Sequence, residues 1–473
     1  MDEAFSLEST SGNIFTTFER AIGFESQAPL YFLFLNIWRN IDDSIFFARI
    51  FSILAILAAI ILFIQLAEEF FNSKNTIWLV LLFTFNPLTI WAALEIRLFA
   101  LLVLLSTLLI YLYLKRFKSD ARLEIRIAFI AISLVGIYTQ YYFILLPTAF
   151  SLIDLLYKGV KKSKKYFADL AIIYLLCFPI PILAMKHINT IPRKVFNLSG
   201  FLHGVKNLLQ VQEQFILPLG KLDSNAFGRY LIRAVLLSLI ISVIHSNREY
   251  IKKIAISFDF FPFWVISAGT IFAIVSSVFI DVELLSIRHL IFLLPFWLLL
   301  LAIIIEAAKK KYQNYGILFI IFMVYGFALT NSYHMMAKSG DYKRIANYIL
   351  KEERAGQPIF IFPNTQYLIF KYYYNNGLNP VVSIPREYST IELDFYSRRI
   401  ESQKELDELF SERALEQACL WMIIEPIESY LGVEYNLNLL ERYVVEKFDI
   451  LSTRTFYRET RVYLLRKKGN YVR

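Results

Sequence analysis

The chain has 473 residues, of which 57% are hydrophobic and 19% charged, with a formal net charge of +9 and a mean hydropathy of +0.50. These values exclude an ordinary soluble protein. They also give no nucleic-acid partner, because the excess Lys and Arg lie in short loops between apolar runs, where they report topology.

The chain opens MDEAFSLEST. No basic and apolar leader precedes the acid pair Asp2 and Glu3, so no cleavable signal peptide is read here. Residues 1–44 read as a first outer loop. Within it, PLYFLFLNIW (Pro29–Trp38) is closed by Arg39, Asp42 and Asp43. It is too short to cross a hydrocarbon layer of about 30 Å, and is expected to lie in the interface or re-enter.

A transmembrane domain follows over 45–332. Its spans are expected near 45–70, 76–93, 97–114, 125–139, 141–157, 166–185, 229–246, 258–280, 287–306 and 313–331. Every second connection is basic: KRFKSDARLEIR at 115–126, KGVKKSKK at 158–165, HSNREYIKK at 245–253 and KKK at 309–311. Such loops stay on the cytoplasmic side, so the alternate connections, Asp2 and the tail are all expected outside a bacterial plasma (inner) membrane. The apolar run 127–157 is long for one span and has basic flanks on both sides. YTQYY (Tyr138–Tyr142) is its natural outer turning point, which makes two short, tilted helices.

The outer loop 186–228 holds GFLHGVKNLLQVQEQF. Phe201, Val205, Leu208, Leu209 and Phe215 fall near one helical face, with Lys206, Gln210 and Glu213 elsewhere, which predicts a surface helix on lipid headgroups. The tail 338–473 has ordinary polarity and reads as α/β. DYKRIANYILKEE and NLNLLERYVVEKF are expected as helices, PIFIFP and ACLWMIIEP as buried strands, and ILSTRTFY with RVYLLRKK as a closing hairpin. The tail carries no glycine-rich phosphate loop, nucleophile elbow or histidine–carboxylate metal spacing, so it is expected to shape or cover a site. Cys177 lies in an apolar run and Cys419 in the tail, which builds no disulfide framework or thiol metal site. The fold class is therefore a polytopic α-helical membrane protein of about ten spans with a C-terminal α/β extracytoplasmic domain.

On this topology a set of polar groups shares the outer membrane rim: Asp2 and Glu3, Glu25 and Gln27, Glu95 and Arg97, Tyr138, Gln140 and Tyr141, and Arg288 with His289. Charges near a bilayer are costly, so rim charges often serve a pathway or ligand. Each also has a plainer reading. Asp2 and Glu3 suit a solvated terminus, Arg288 suits snorkelling to headgroups, His289 suits a structural role, and the tyrosines suit an interfacial belt. Only their convergence points to a site.

The order DEAFS, QAPLYFLFLNIW, FFARIFSILA, NPLTIWAALEIRLFALLVLLS, YTQYY and IRHLIFLLP resembles the GT-C glycosyltransferases. The similarity is to the group that includes protein O-mannosyltransferases and the aminoarabinose transferase of lipid A, and it covers nearly the whole chain, including the tail from DYKRIANYI. The resemblance implies transfer of a sugar from a polyprenyl-phosphate carrier to an acceptor glycan, lipid or protein on the outer face. It also implies an aspartate base in the first outer loop, which maps onto Asp2. Two departures stand out. Relatives commonly show His-Pro-Pro where this chain has Gln27, Ala28 and Pro29, and they carry a transmembrane helix before the acid pair. The expectation drawn from the second is that the chain lacks its first helix.

The residues suit such chemistry. A lipid phosphate is a good leaving group that needs its growing charge held, by Arg97 and Arg288 or by a divalent metal (Mg or Mn) on Glu3 or Glu95. The attacking hydroxyl must lose a proton to one carboxylate, assigned to Asp2 with Glu3 orienting it. Glu25, Gln27, Glu95, Tyr138, Gln140, Tyr141 and His289 would line the sugar and acceptor pocket. Direct displacement predicts inversion. Two rival readings are a non-catalytic relative that binds the carrier lipid, and a polytopic transporter or lipid flippase.

Overall fold

The computed structural model of the chain describes residues 2–70, 76–118, 122–180, 198–219, 226–279, 286–308, 310–335, 340–387, 396–414, 419–430, 433–456 and 459–468. Three short helices lead in: α1 (Asp2–Ser9), α2 (Ile14–Gly23) and α3 (Leu30–Arg39). PLYFLFLNIW is α3, as its length requires. Tyr31, Phe32 and Leu35 are buried against the bundle while Phe34 and Ile37 are exposed, so α3 presents an apolar face on both sides. Phe15 and Phe18 of α2 are likewise exposed. Helices with this pattern suit the boundary between bundle and lipid.

The bundle comprises α4 (Ile45–Phe70), α5 (Thr76–Phe85), α6 (Pro87–Leu94), α7 (Phe99–Lys118), α8 (Leu123–Thr139) and α9 (Leu145–Leu176). It continues with α10 (Leu198–Gln214), α11 (Ala226–Ser246), α12 (Arg248–Ile256), α13 (Phe261–Phe279), α14 (Leu294–Ala307) and α15 (Lys311–Met335). Among the described residues, seven helices are long and apolar enough to cross a membrane, and α5 with α6, bent by 50°, makes an eighth. The bend follows from Asn86-Pro87. Proline opens the new helix, and Asn86 caps it by accepting from Leu88 N–H at 2.8 Å.

The stretch 141–176 counts once in that tally, yet it is a hairpin. Gly159 has φ 70° and ψ 168°, outside any helix. Beyond it the chain doubles back, because the Thr148 and Tyr174 hydroxyls lie 2.9 Å apart. In one straight helix they would stand about 39 Å apart. Limbs 145–158 and 160–176 and the 17-residue α8 overlap the segments expected at 125–139, 141–157 and 166–185. The turn at YTQYY is built around Gly136, where a Cβ would sit 2.2 Å from the Phe143 ring. Only glycine lets that ring close against α8.

The basic connections gather at one end. Arg116 and Asp169, both 1% exposed, pair at 2.9 Å, and Arg126 reaches the same carboxylate at 2.6 Å. Lys115 pairs with Glu69 at 3.4 Å, and the Lys158 ammonium donates to the Phe117 carbonyl at 3.0 Å. Charges as buried as Arg116 and Asp169 persist only when paired and hydrogen-bonded.

The loop helix α10 departs from expectation. Leu208, Val211 and Phe215 join the hydrophobic core of the bundle, whereas Leu209 is exposed. The Phe201 side chain lies outside the described residues. Gln212 accepts from Trp297 Nε1 at 2.8 Å and donates to Thr270 at 3.2 Å, and Asn86 donates to the Phe215 carbonyl at 2.8 Å. The inner face of α10 is therefore shaped for protein rather than headgroups. Polar groups on α13, α14 and the α5–α6 bend offered partners that the helix alone did not reveal.

The tail runs α16 (Gly340–Glu352), β1 (Ile359–Phe362), α17 (Tyr367–Tyr373), β2 (Val381–Ser383), α18 (Gln403–Ala414), β3 (Cys419–Ile424), β4 (Ser429–Tyr430), β5 (Val433–Glu434), α19 (Leu437–Lys447), β6 (Phe448–Thr455) and β7 (Arg461–Lys467). The main sheet has the order β2-β1-β3-β7-β6, parallel through β2, β1 and β3 and antiparallel beyond. Successive residues alternate faces. Phe360, Phe362, Leu420 and Met422 meet Leu406, Phe410 and Leu440 on one face, while Ile359, Ile361 and Trp421 meet Ile345, Ile349 and Phe370 on the other. The result is a three-layer α/β unit. The expected helices, strands and hairpin are present; β2, α17 and α18 were not foreseen. Both cysteines are free.

Candidate active site

A charged cluster forms at the end of the bundle opposite the basic loops, where α1, the α2–α3 junction, the start of α4 and the α6–α7 turn meet. Glu3, Ser6 and Ser9 recur every third residue on α1 and so share a face. The α6–α7 turn (95–98) breaks the helical ladder and leaves backbone groups to be satisfied from outside. Arg49, one turn into α4, donates Nε to the Leu94 carbonyl at 2.8 Å, and Ser52 Oγ donates to the Glu95 carbonyl at 2.7 Å. Ile96 N–H donates to Glu3 Oε1 at 3.1 Å. Arg49 Nη2 then reaches both Glu3 oxygens, at 3.2 and 3.3 Å.

Those contacts fix Arg97. Its Nη1 donates to Glu25 Oε2 at 2.8 Å and to Ser6 Oγ at 3.0 Å. Both charged side chains are buried, 8% and 3% exposed. Glu25 reaches this position because the chain turns sharply after α2: Ser26 has φ 51°, and Gln27 N–H donates to the Ala21 carbonyl at 3.0 Å. Ser9 Oγ approaches the other Glu25 oxygen at 3.5 Å. The carboxyl end of α1 is held by two more cations. Arg39 Nη1 donates to the Leu7 carbonyl and to Thr10 Oγ1, both at 2.6 Å, and Arg20 Nη1 donates to the Glu8 carbonyl at 2.7 Å. Tyr31 is fully buried. Burial holds its phenol well above the ordinary tyrosine range, against the pull of the Arg97 guanidinium.

A second group lies at the α8–α9 turn. Gln140 Nε2 donates to the Arg288 carbonyl at 3.4 Å, and the Tyr142 ring meets His289 edge-on at 5.6 Å. The Arg288 side chain is exposed. Tyr142, Phe272, Ala273, His289 and Leu290 enclose a small apolar recess. Tyr141 packs on the bundle core. Tyr138 sends its hydroxyl to the Leu176 carbonyl at 2.9 Å, which ties α8 to the second limb of the hairpin. α7, which starts just after Arg97, is a wall common to both groups: it packs on α8, and Ser106 Oγ donates to the Phe292 carbonyl at 2.6 Å.

The structure thus joins Glu3, Glu25 and Arg97, with the Glu95 backbone beside them, and separately joins Gln140, Arg288 and His289. The Asp2 side chain lies outside the described residues; its backbone begins α1, directly before Glu3. Gln27 is half-buried, and its Oε1 has no hydrogen-bond partner among the described residues. Glu3 and Glu95 are the residues the sequence offers to a divalent metal. Glu3 is held by Arg49 and Ile96, and no group of three or more His, Cys, Asp or Glu is placed to hold a metal among the described residues. Arg49, Ser6, Ser9 and Tyr31 were missed. A signal existed for Arg49, since FFARIFSILA puts a cation in the first turn of an apolar span, where it needs a partner. Ser6 and Ser9 were legible as the face of Glu3. Tyr31 carried no such mark.

α1 also packs against α17 of the tail. The α/β unit therefore stands at the same end of the bundle as the Glu3–Arg97 cluster.

No family model and no curated protein matches this sequence. Among solved structures, the chain is similar in fold to the crystal structure of ArnT from Cupriavidus metallidurans in the apo state. The TM-score is 0.52 at 11% identity, covering 93% of this chain and 87% of that one. The architecture, a polytopic helical bundle followed by a C-terminal α/β unit, is therefore shared across almost the full length of both chains.

Proposed function

We propose that this protein is a membrane glycosyltransferase that moves a sugar from a polyprenyl-phosphate carrier to a glycan, lipid or protein acceptor on the outer face of the membrane. The observation that carries the reading is the cluster of the partly buried Glu3–Arg49 pair and the buried Glu25–Arg97 pair, drawn from four separate segments at one end of a bundle with the ArnT fold. In this reading the cluster lies at the boundary between hydrocarbon and water, the depth of a carrier phosphate.

In this reading Arg97 holds charge that develops on the leaving phosphate, with Arg288 as a second cation from the neighbouring group. Asp2 takes the proton of the acceptor hydroxyl as it attacks the anomeric carbon from the face opposite the phosphate, which inverts the centre. The C–O bond to phosphate breaks as the new glycosidic bond forms. The carrier phosphate leaves with the electron pair, and the proton rests on Asp2. Glu3, held by Arg49 and Ile96 N–H, sets the pitch of α1 and so the position of Asp2. Gln27, Gln140, Tyr141 and His289 are the pocket residues of this reading. Were a divalent metal to meet the charge of the leaving phosphate, Glu3 and Glu95 would be the residues to hold it.

The test is incubation of the purified full chain with a radiolabelled polyprenyl-phosphate pentose or hexose in lipid nanodiscs, with carrier phosphate release as the readout. Asp2→Asn should abolish release while leaving expression intact. Retained turnover in that variant removes Asp2 from the mechanism. Carrier binding without release in the unmodified protein would identify a non-catalytic relative, and neither binding nor release would favour a transporter.

A further inference from the structure

Tyr31 is the second residue of α3 and is 0% exposed. Its ring packs edge-on against Phe32 at 5.2 Å and Phe51 at 6.1 Å. A phenylalanine would make the same packing. The hydroxyl, however, has no hydrogen-bond partner among the described residues. A buried polar group left unpaired works against folding, so such groups in native proteins call for an explanation.

The charges around it supply one. The Arg97 guanidinium acts on the phenol, as do Glu25, Glu3 and Glu95. Two of those carboxylates are neutralised, Glu25 by Arg97 and Glu3 by Arg49. A neutral phenol within electrostatic reach of a guanidinium can share an oxyanion with it as a second donor. Four residues earlier, the buried Gln27 Oε1 is likewise without a partner among the described residues, and it can only accept. One spare donor and one spare acceptor fit a ligand that carries both an oxyanion and hydroxyls. A sugar phosphodiester has both.

We infer that Tyr31 is a ligand-binding residue of this cluster, its hydroxyl donating to a phosphate oxygen of the lipid-linked substrate while Gln27 accepts from a sugar hydroxyl. This deepens the glycosyltransferase reading and rests on it. The ring is held by packing rather than by a polar contact, so the hydroxyl is positioned before the ligand arrives and spends no protein bond to bind it.

The test uses the full chain in nanodiscs, unmodified and as Tyr31→Phe, with two probes: a C55 polyprenyl phosphate and the uncharged polyprenol of the same length. Without ligand, Tyr31→Phe should melt at or above the temperature of the unmodified protein, since it removes only an unpaired group. Its Kd for the polyprenyl phosphate should rise about tenfold or more, the usual effect of losing a hydrogen bond to a charged group. Polyprenol binding should be the same in both proteins. An unchanged Kd, or a lower melting temperature without ligand, overturns the assignment of Tyr31 alone. If the unmodified protein binds phosphate and alcohol equally, the carrier-phosphate reading itself fails, and this inference with it.

Discussion

The Arg97–Glu25 pair offers a sharp test of how the cluster is held together. The two side chains are 8% and 3% exposed and 2.8 Å apart, so solvent screening does little to discount their attraction. Removing one partner leaves the other charge buried without compensation, at about 3–5 kcal/mol. Glu25→Leu should fall at the upper end of that range. Glu25→Gln should fall near the lower end, because it keeps an acceptor for Arg97 and Ser6 Oγ still accepts from the guanidinium at 3.0 Å. Arg97→Met takes the guanidinium away from the Glu25 carboxylate, which Ser9 Oγ approaches at 3.5 Å. The double variant Arg97→Met/Glu25→Leu removes both charges together and should cost no more than about 1–2 kcal/mol, since apolar groups of similar volume often replace a buried pair neutrally. Reversible unfolding in mixed SDS and detergent micelles, followed by tryptophan fluorescence, gives all four values. Singles that each cost below about 1 kcal/mol, or a double equal to their sum, would show that the pair is not a coupled buried unit.

Other expectations follow from the same structure. Arg49→Met removes contacts to Leu94 and Glu3 and should cost about 1–2 kcal/mol, discounted because the side chain is 32% exposed. Its kcat should fall more than its KM, and Arg49→Lys should restore stability only in part, because lysine lacks the fork that spans carbonyl and carboxylate. Gly136→Ala places a methyl 2.2 Å from the Phe143 ring and should destabilise by about 1–3 kcal/mol, read as a lower melting temperature in detergent; a neutral result would mean that the α8–α9 turn packs differently. In a Thr148→Cys/Tyr174→Cys variant, an oxidant should close an intramolecular bridge in isolated membranes. No crosslink would reject the hairpin at Gly159 and restore one continuous helix.

Much of the fold could be read from the chain because it depends on properties each segment carries alone. Apolar length decides what can cross a bilayer, and Lys and Arg in alternate loops decide the order of turns. The break at YTQYY, the interfacial length of PLYFLFLNIW and the alternation of PIFIFP and ACLWMIIEP are of this kind. Glu25 and Arg97 were legible as costly rim charges, but nothing local pairs residues 72 positions apart. That pairing required the α6–α7 turn to leave backbone groups that Arg49, Ser52 and Glu3 could occupy. The inner face of α10 and the Tyr31 hydroxyl, without a partner among the described residues, belong to the same class. Each depends on which polar atoms of distant elements arrive beside it, and a sequence pattern records a residue's own preference without recording its neighbours. The chain by itself thus determined which segments enter the membrane and which face water. Only the tertiary structure decided which charges neutralise one another and which polar groups are left over for a ligand.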